Sequence, residues 1–187
     1  VNEMYAIEAT GIKKSFGEKL VLNGIDLKIR EGSIHAILGP NGSGKTTLIK
    51  ILSTLLKADE GQIKVGDYDA SEHPDKVREC ISLTGQNASV DEELTGYENL
   101  YLFARLLGYP SSEAKQRANE LLLGFDLKDA SNQLVKTYSG GMRRRLDIAA
   151  SIIKITDVLF LDEPTTGLDP RSRNSLWLII KDLARKG

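Results

Sequence analysis

The sequence predicts an α/β fold with a parallel sheet, an N-terminal antiparallel β part and a helical insertion subdomain. Three observations predict it. Strand-like and helix-like segments alternate at both ends of the chain. Two short, nearly continuous apolar runs, "SIHAILGP" and "DVLFLDEP", have the pattern of strands covered on both faces. Between them, from about Leu94 onward, the apolar spacing is helical. The core is therefore expected to be discontinuous, residues 1–86 and 157–187, with residues 87–156 forming the helical part.

In chain order, "YAIEAT" is a short strand. In "NGIDLKIR", Ile25, Leu27 and Ile29 alternate with Asp26, Lys28 and Arg30, which describes a half-buried strand. "SIHAILGP" follows as a buried strand ending at Gly-Pro. "GKTTLIKILSTLL" is a helix with Leu48, Ile51, Leu52 and Leu55 on one face. "ADEGQIKVGD" is a turn and a strand, and "HPDKVREC" is a short helix that tolerates Pro74 in its first turn. "ISLTGQ" is a strand ending in a loop. "TGYENLYLFARLLG", "SSEAKQRANELLLGF" and "SGGMRRRLDIAASII" are helices, "DVLFLDEP" is a strand, and "PRSRNSLWLIIKDLARKG" is a final helix.

The totals limit what the chain does. Its 187 residues carry a net charge of −1, so no basic field points to nucleic acid as the main partner. The single cysteine, Cys80, has no internal disulfide partner and is expected as a small buried residue. No apolar run reaches the roughly 18 residues of a membrane span, and the first residues carry no apolar leader.

"GPNGSGKTT", Gly39 to Thr47, lies between a strand and a helix and fits G-x-x-x-x-G-K-[ST]. Glycines let the backbone of Gly39, Pro40, Asn41, Gly42, Ser43 and Gly44 wrap a polyphosphate with N–H groups turned inward. The helix N-terminus adds partial positive charge. Lys45 is placed to reach the β- and γ-phosphates, Thr46 to ligate Mg²⁺, and Thr47 to donate to the α-phosphate. A glycine-rich turn that merely caps a helix is the competing account, and the strand–loop–helix context disfavours it. The core is therefore a P-loop NTPase core. "VLFLDEP" sets Asp162 and Glu163 at the end of a strand expected beside the phosphate-loop strand, where ligands gather in such sheets. Asp162 is expected to hold Mg²⁺ through its water shell, and Glu163 to polarise the water that attacks the γ-phosphate. A solvated acidic turn is the plainer alternative.

With these motifs in place, "TYSGGMRRRLDIAASII" resembles the signature region of ABC transporter ATP-binding subunits, usually LSGGQ and here "YSGGM". Gln86 after a strand matches the Q-loop, and "LDEPTTGLDP" matches Walker B running into the D-loop. The resemblance covers nearly the whole chain, with the motifs in the family's order. "LTGQNASVDEELTGYENL" and "KTYSGGMRRRLDIAAS" are closer still to the daunorubicin-resistance type of drug exporter. The resemblance implies two subunits paired head to tail, a homodimer or two paired ABC ATPases. Each ATP is then held between one cradle and the partner's Ser139, Gly140 and Gly141, a second helix N-terminus that receives an anion. Taken alone, "SGG" is an ordinary helix cap.

The resemblance further implies that Gln86 contacts Mg²⁺ or the attacking water, that Phe16 stacks on adenine, and that Asp169 touches the partner subunit. Phe16 as a core residue is the alternative. Met142 replaces the usual glutamine, which affects side-chain contacts at that position but not the Ser-Gly-Gly backbone. Arg143 to Arg145 are expected as a solvated or interface face, His35 and His73 as structural or exposed, and Trp177 as helix packing. The family's switch histidine lies beyond a strand expected to begin near Gly187, so neither His35 nor His73 fills that place, and the sequence is expected to be a fragment. The implied function is ATP hydrolysis at the cytoplasmic face of a membrane, driving drug or lipid export through a separate integral membrane permease. The competing function is a soluble ABC-type ATPase in DNA repair or translation, whose coiled-coil insertions or tandem ATPase units are not seen here.

Overall fold

The alternation in "NGIDLKIR" is realised as one strand of a four-stranded sheet. The computed structural model describes residues 4–84 and 90–186. Strand β1 (Tyr5–Phe16) pairs antiparallel with β2 (Lys19–Arg30) on one side and β3 (Glu60–Val65) on the other, and β4 (Tyr68–Asp69) closes the order β2-β1-β3-β4. β1 is twice as long as "YAIEAT" because it continues through a register shift between Ala9 and Ile12. There the Gly11 amide donates to Asp26 Oδ1 at 2.7 Å, so a side chain holds the irregularity that the alternation hides. Helix α1 (Lys45–Leu52) and helix α2 (Pro74–Cys80) belong to the same compact unit, residues 1–83, 156–162 and 184–187. Its core gathers Ile7, Ile12, Leu22, Ile51, Val65 and Phe160.

A separate two-stranded parallel sheet pairs β5 (Ile81–Thr84) with β6 (Val158–Leu161). Several expectations are corrected here. "SIHAILGP" is not a strand: residues 33–40 have no ladder partner among the described residues, and Ile34 and Leu38 are 46% and 89% exposed. An apolar run becomes a buried strand only with backbone partners at its edges, and β6 takes β5 as its partner rather than the phosphate-loop segment. Leu55 is also not on the buried face of α1. The helix stops at Leu52, Thr54 turns the chain at φ 60°, and Leu55 is 61% exposed. Cys80 is half-buried rather than core.

The second unit comprises residues 84–155 and 163–183. Its helices are α3 (Gly96–Leu106), α4 (Ser111–Gly124), α5 (Gly140–Ser151) and most of α6 (Pro170–Lys186). α3 starts at a capping box: Thr95 Oγ1 accepts from the Glu98 amide at 3.1 Å, and Glu98 Oε2 accepts from the Thr95 amide at 2.8 Å. Buried Asn99 fastens the preceding loop, accepting from the Asp91 amide at 2.7 Å and donating to the carbonyls of Asp91 and Thr95. Arginines close the helix C-termini, where carbonyls lack intrahelical partners. Arg117 donates to Ile152 O and Ile153 O after α5 at 2.8 and 2.9 Å. Arg145 donates to Phe125 O after α4 at 3.1 Å.

Tyr138 holds the approach to α5. It is 4% exposed, and its hydroxyl donates to Ala130 O at 2.7 Å, while burial pushes the phenol above its usual pKa. Tyr138→Phe leaves that carbonyl with the Gln133 amide, at 3.0 Å, as its remaining donor. We expect a loss of about 0.5–1.5 kcal/mol in the denaturant-unfolding free energy. An unchanged value shows that the hydroxyl's bond contributes nothing net.

Candidate functional site: a phosphate cradle and a glycine-headed helix

The cradle is built by a turn and a helix start. Ser43 N donates to Pro40 O at 3.2 Å, and Gly44 caps α1 at φ 93°. Only glycine suits Gly44 on two counts. The backbone is left-handed, and an added Cβ would lie 2.8 Å from Leu22 Cδ2. At Gly39 a Cβ would lie 2.6 Å from Ser43 Oγ. Lys45 folds back over the loop, its ammonium donating to Gly39 O at 2.8 Å and Pro40 O at 2.9 Å. Pro40, Asn41, Gly42 and Ser43 are exposed, while Gly44, Lys45, Thr46 and Thr47 are half-buried on the first turn of α1.

Thr46 and Asp162 meet, although 116 residues separate them. Thr46 Oγ1 lies 3.4 Å from Asp162 Oδ1, and Asp162 is 7% exposed at the end of β6. Two hard oxygen donors converging on the head of a phosphate loop are the ligand chemistry Mg²⁺ takes, alongside phosphate oxygens and water. The residues present therefore fit the ion.

Glu163 belongs to the second unit and is exposed. Its backbone is left-handed at φ 47°, a conformation that costs a non-glycine residue about 1–3 kcal/mol. The following turn holds it there: Thr166 N donates to Glu163 O at 3.2 Å, and Thr166 Oγ1 donates to Glu163 Oε2 at 3.1 Å. No sequence signal marks Thr166 as a support for the acid.

Ser139 caps α5, its hydroxyl accepting from the Met142 amide at 3.2 Å. Among the described residues nothing stands within 4 Å of the space a Cβ would take at Gly140, whereas at Gly141 a Cβ would lie 2.5 Å from Ser172 Oγ. The first glycine thus leaves the helix head open, and the second seats it against α6. Asp169 is itself a helix cap, accepting from the amides of Arg171 and Ser172 at 3.0 Å each. The Ser172 hydroxyl, then the Ser172 amide, hold its carboxyl below the usual aspartate range.

The three arginines after Met142, expected as a solvated or interface face, are half-buried and bonded within the chain. Arg143 pairs with Glu92 at 2.7 Å and donates to Lys136 O, and Arg145 closes α4. Arg144 donates to Pro164 O at 3.1 Å beside buried Asp147. Backbone carbonyls, and for Arg144 a buried carboxylate, hold the guanidinium groups. One signal was readable: Arg144 and Asp147 stand three apart on a helix, with the acid among apolar residues.

Phe16 ends β1 at 51% exposure, so it is not core, and the Lys14 ammonium lies 5.7 Å from its ring centroid. Gln86 lies outside the described residues. His35 and His73 are exposed, and Trp177 is half-buried on α6. No helix among the described residues is long and apolar enough to cross a membrane.

The chain is 55% identical over 182 residues to the daunorubicin/doxorubicin resistance ATP-binding protein DrrA of Streptomyces peucetius, covering 97% of this chain and 55% of that one. It is 46% identical to the doxorubicin resistance ATP-binding protein DrrA of Mycobacterium tuberculosis (strain ATCC 25618 / H37Rv), covering 100% of this chain and 57% of that one. The chain thus spans little more than half the length of these relatives. Among solved structures it resembles cbiO1 of Clostridium perfringens, part of the ABC transporter complex cbiONQ, with a TM-score of 0.89 at 25% identity over 98% of this chain and 75% of that one. The ABC transporter family model matches residues 22–166, and the chain belongs to that family.

Proposed function

We propose that this chain binds and hydrolyses ATP, closes with a second copy or a paired ABC ATPase subunit around the nucleotide, and so drives a separate membrane permease from the cytoplasmic face. The observation that carries the reading is the convergence of Thr46 and Asp162 at 3.4 Å beside Lys45. The chain's exported substrate is a drug or lipid, and the relatives named for daunorubicin and doxorubicin resistance support the drug.

The residues divide the work. Backbone N–H groups of Gly39 to Gly44 and the α1 N-terminus hold the phosphates. Lys45 exchanges its bonds to Gly39 O and Pro40 O for the β- and γ-phosphate oxygens, and Thr47 donates to the α-phosphate. Phe16 offers its exposed ring to adenine, a stack worth on the order of 1 kcal/mol. Thr46, Asp162 and Gln86 would hold Mg²⁺, directly or through water, and the ion would supply charge neutralisation at the phosphates. Glu163 takes a proton from a water molecule as the water oxygen bonds to the γ-phosphorus. The bond from that phosphorus to the bridging oxygen breaks, and ADP and phosphate leave. Ser139, Gly140 and Gly141 of the paired subunit donate to the same γ-phosphate. Hydrolysis then removes the contact that holds the two subunits together.

The test uses the full-length protein with its membrane subunit in inside-out vesicles. We expect Mg²⁺-dependent ATP hydrolysis and ATP-driven uptake of daunorubicin. Hydrolysis that follows added DNA or ribosomes instead of the membrane fraction contradicts the reading.

A further inference from the structure

We infer that Arg144 is a positioning residue for ATP hydrolysis: it ties the helix headed by Ser139 to the turn that carries Glu163, so the two move together within one chain. The inference rests on the roles given above to Ser139 and Glu163.

The tie is short and sheltered. Arg144 Nε donates to Pro164 O at 3.1 Å, on the residue directly after Glu163. Arg144 Nη1 lies 3.6 Å from Asp147 Oδ2, one helical turn on, with side-chain exposures of 11% and 2%. A carboxylate that buried keeps a cation beside it, because leaving either charge alone is costly. Asp147 therefore fixes the guanidinium plane, and the fixed plane aims Nε at the carbonyl. The neighbouring arginines go elsewhere, Arg143 to Glu92 and Lys136 O and Arg145 to Phe125 O and Asp126. A second seat lies nearby, where Gly141 on α5 accommodates Ser172 on α6.

The consequence follows from what is tied. Glu163 sits in a left-handed backbone at φ 47°, so its side-chain direction depends on the turn staying as it is. A shift of α5 by about 1 Å takes the 3.1 Å bond out of hydrogen-bond range, unless the turn follows. In the paired arrangement, Ser139 meets the nucleotide held by the other subunit, while Glu163 serves the nucleotide of its own. Arg144 thus makes the orientation of one subunit's base depend on whether its signature helix is seated on the other's γ-phosphate.

The test compares Arg144→Met, which keeps the buried stem, and Arg144→Lys, which keeps a cation beside Asp147, in the full-length protein. Both are measured for kcat, KM, ATP affinity and thermal midpoint, with turnover referred to folded protein. For Arg144→Met we expect kcat to fall about 10- to 100-fold, with ATP affinity within about twofold of wild type. Arg144→Lys is expected to recover part of the loss. Wild-type kcat per folded molecule with a lowered midpoint makes Arg144 structural only and overturns the inference, as does affinity falling in step with kcat. If Arg144→Met does not fold, Arg144→Lys decides by the same split: lowered kcat at unchanged affinity supports the tie, and wild-type kcat overturns it. Turnover that survives Lys45→Ala in a protein with Arg144 intact sinks the reading of the cradle, and this inference with it.

Discussion

Glu163→Gln is expected to slow ATP turnover about 10²- to 10⁴-fold while leaving ATP affinity unchanged. Glutamine has the shape of glutamate, so the left-handed backbone at φ 47° and the 3.1 Å bond from Thr166 Oγ1 survive the change. What is lost is the negative oxygen that accepts a proton from water. The effect should therefore fall on kcat alone, the sign of an interaction made in the transition state. An ATP-bound pair should accumulate, since the nucleotide between the subunits is no longer removed. Size-exclusion chromatography of the full-length variant with ATP checks this. A monomeric elution with ordinary turnover removes Glu163 from the chemistry.

Lys45→Ala is expected to raise the Kd for ATP. A hydrogen bond to a charged group is worth about 1.5–3 kcal/mol net, or roughly 10- to 100-fold in affinity. Lys45 is already committed to Gly39 O and Pro40 O, so its loss also frees the loop those bonds close. Lys45→Arg is expected not to restore binding. The guanidinium is planar and larger, and it does not fit a point-charge site between two carbonyls. Binding of a fluorescent ATP analogue to the full-length variants is the check, and wild-type affinity in Lys45→Ala contradicts the cradle.

The phosphate loop was legible because its spacing is fixed by chemistry. Gly44 must be glycine, and the loop must lead into a helix, so the pattern carries its own structural context. Residues 23–30 of β2 were legible from alternation, and α3, α4 and α5 from their period. Other features depended on partners far along the chain. Nothing in "SIHAILGP" says which strand lies beside it, so its apolar run was read as buried, whereas Leu38 is exposed. The strand Tyr68–Asp69 is two residues long and too short to show a period. Arg144 and Arg145 looked like surface charges because composition does not reveal which carbonyls a fold leaves open. Their targets, Pro164 O and Phe125 O, are set by tertiary packing.

Central to the account is a nucleotide clasped by the Gly39–Thr47 loop of one copy and the Ser139–Gly141 helix head of another. A short bis-maleimide cross-link tests it most directly. Full-length Glu163→Gln with Cys80→Ser is prepared in two differently tagged pools, one carrying Ser43→Cys and the other Ser139→Cys. The account predicts a cross-link between the tags that forms with ATP and Mg²⁺ and is lost with ADP. Equal cross-linking with and without ATP, or none between copies under either condition, contradicts it.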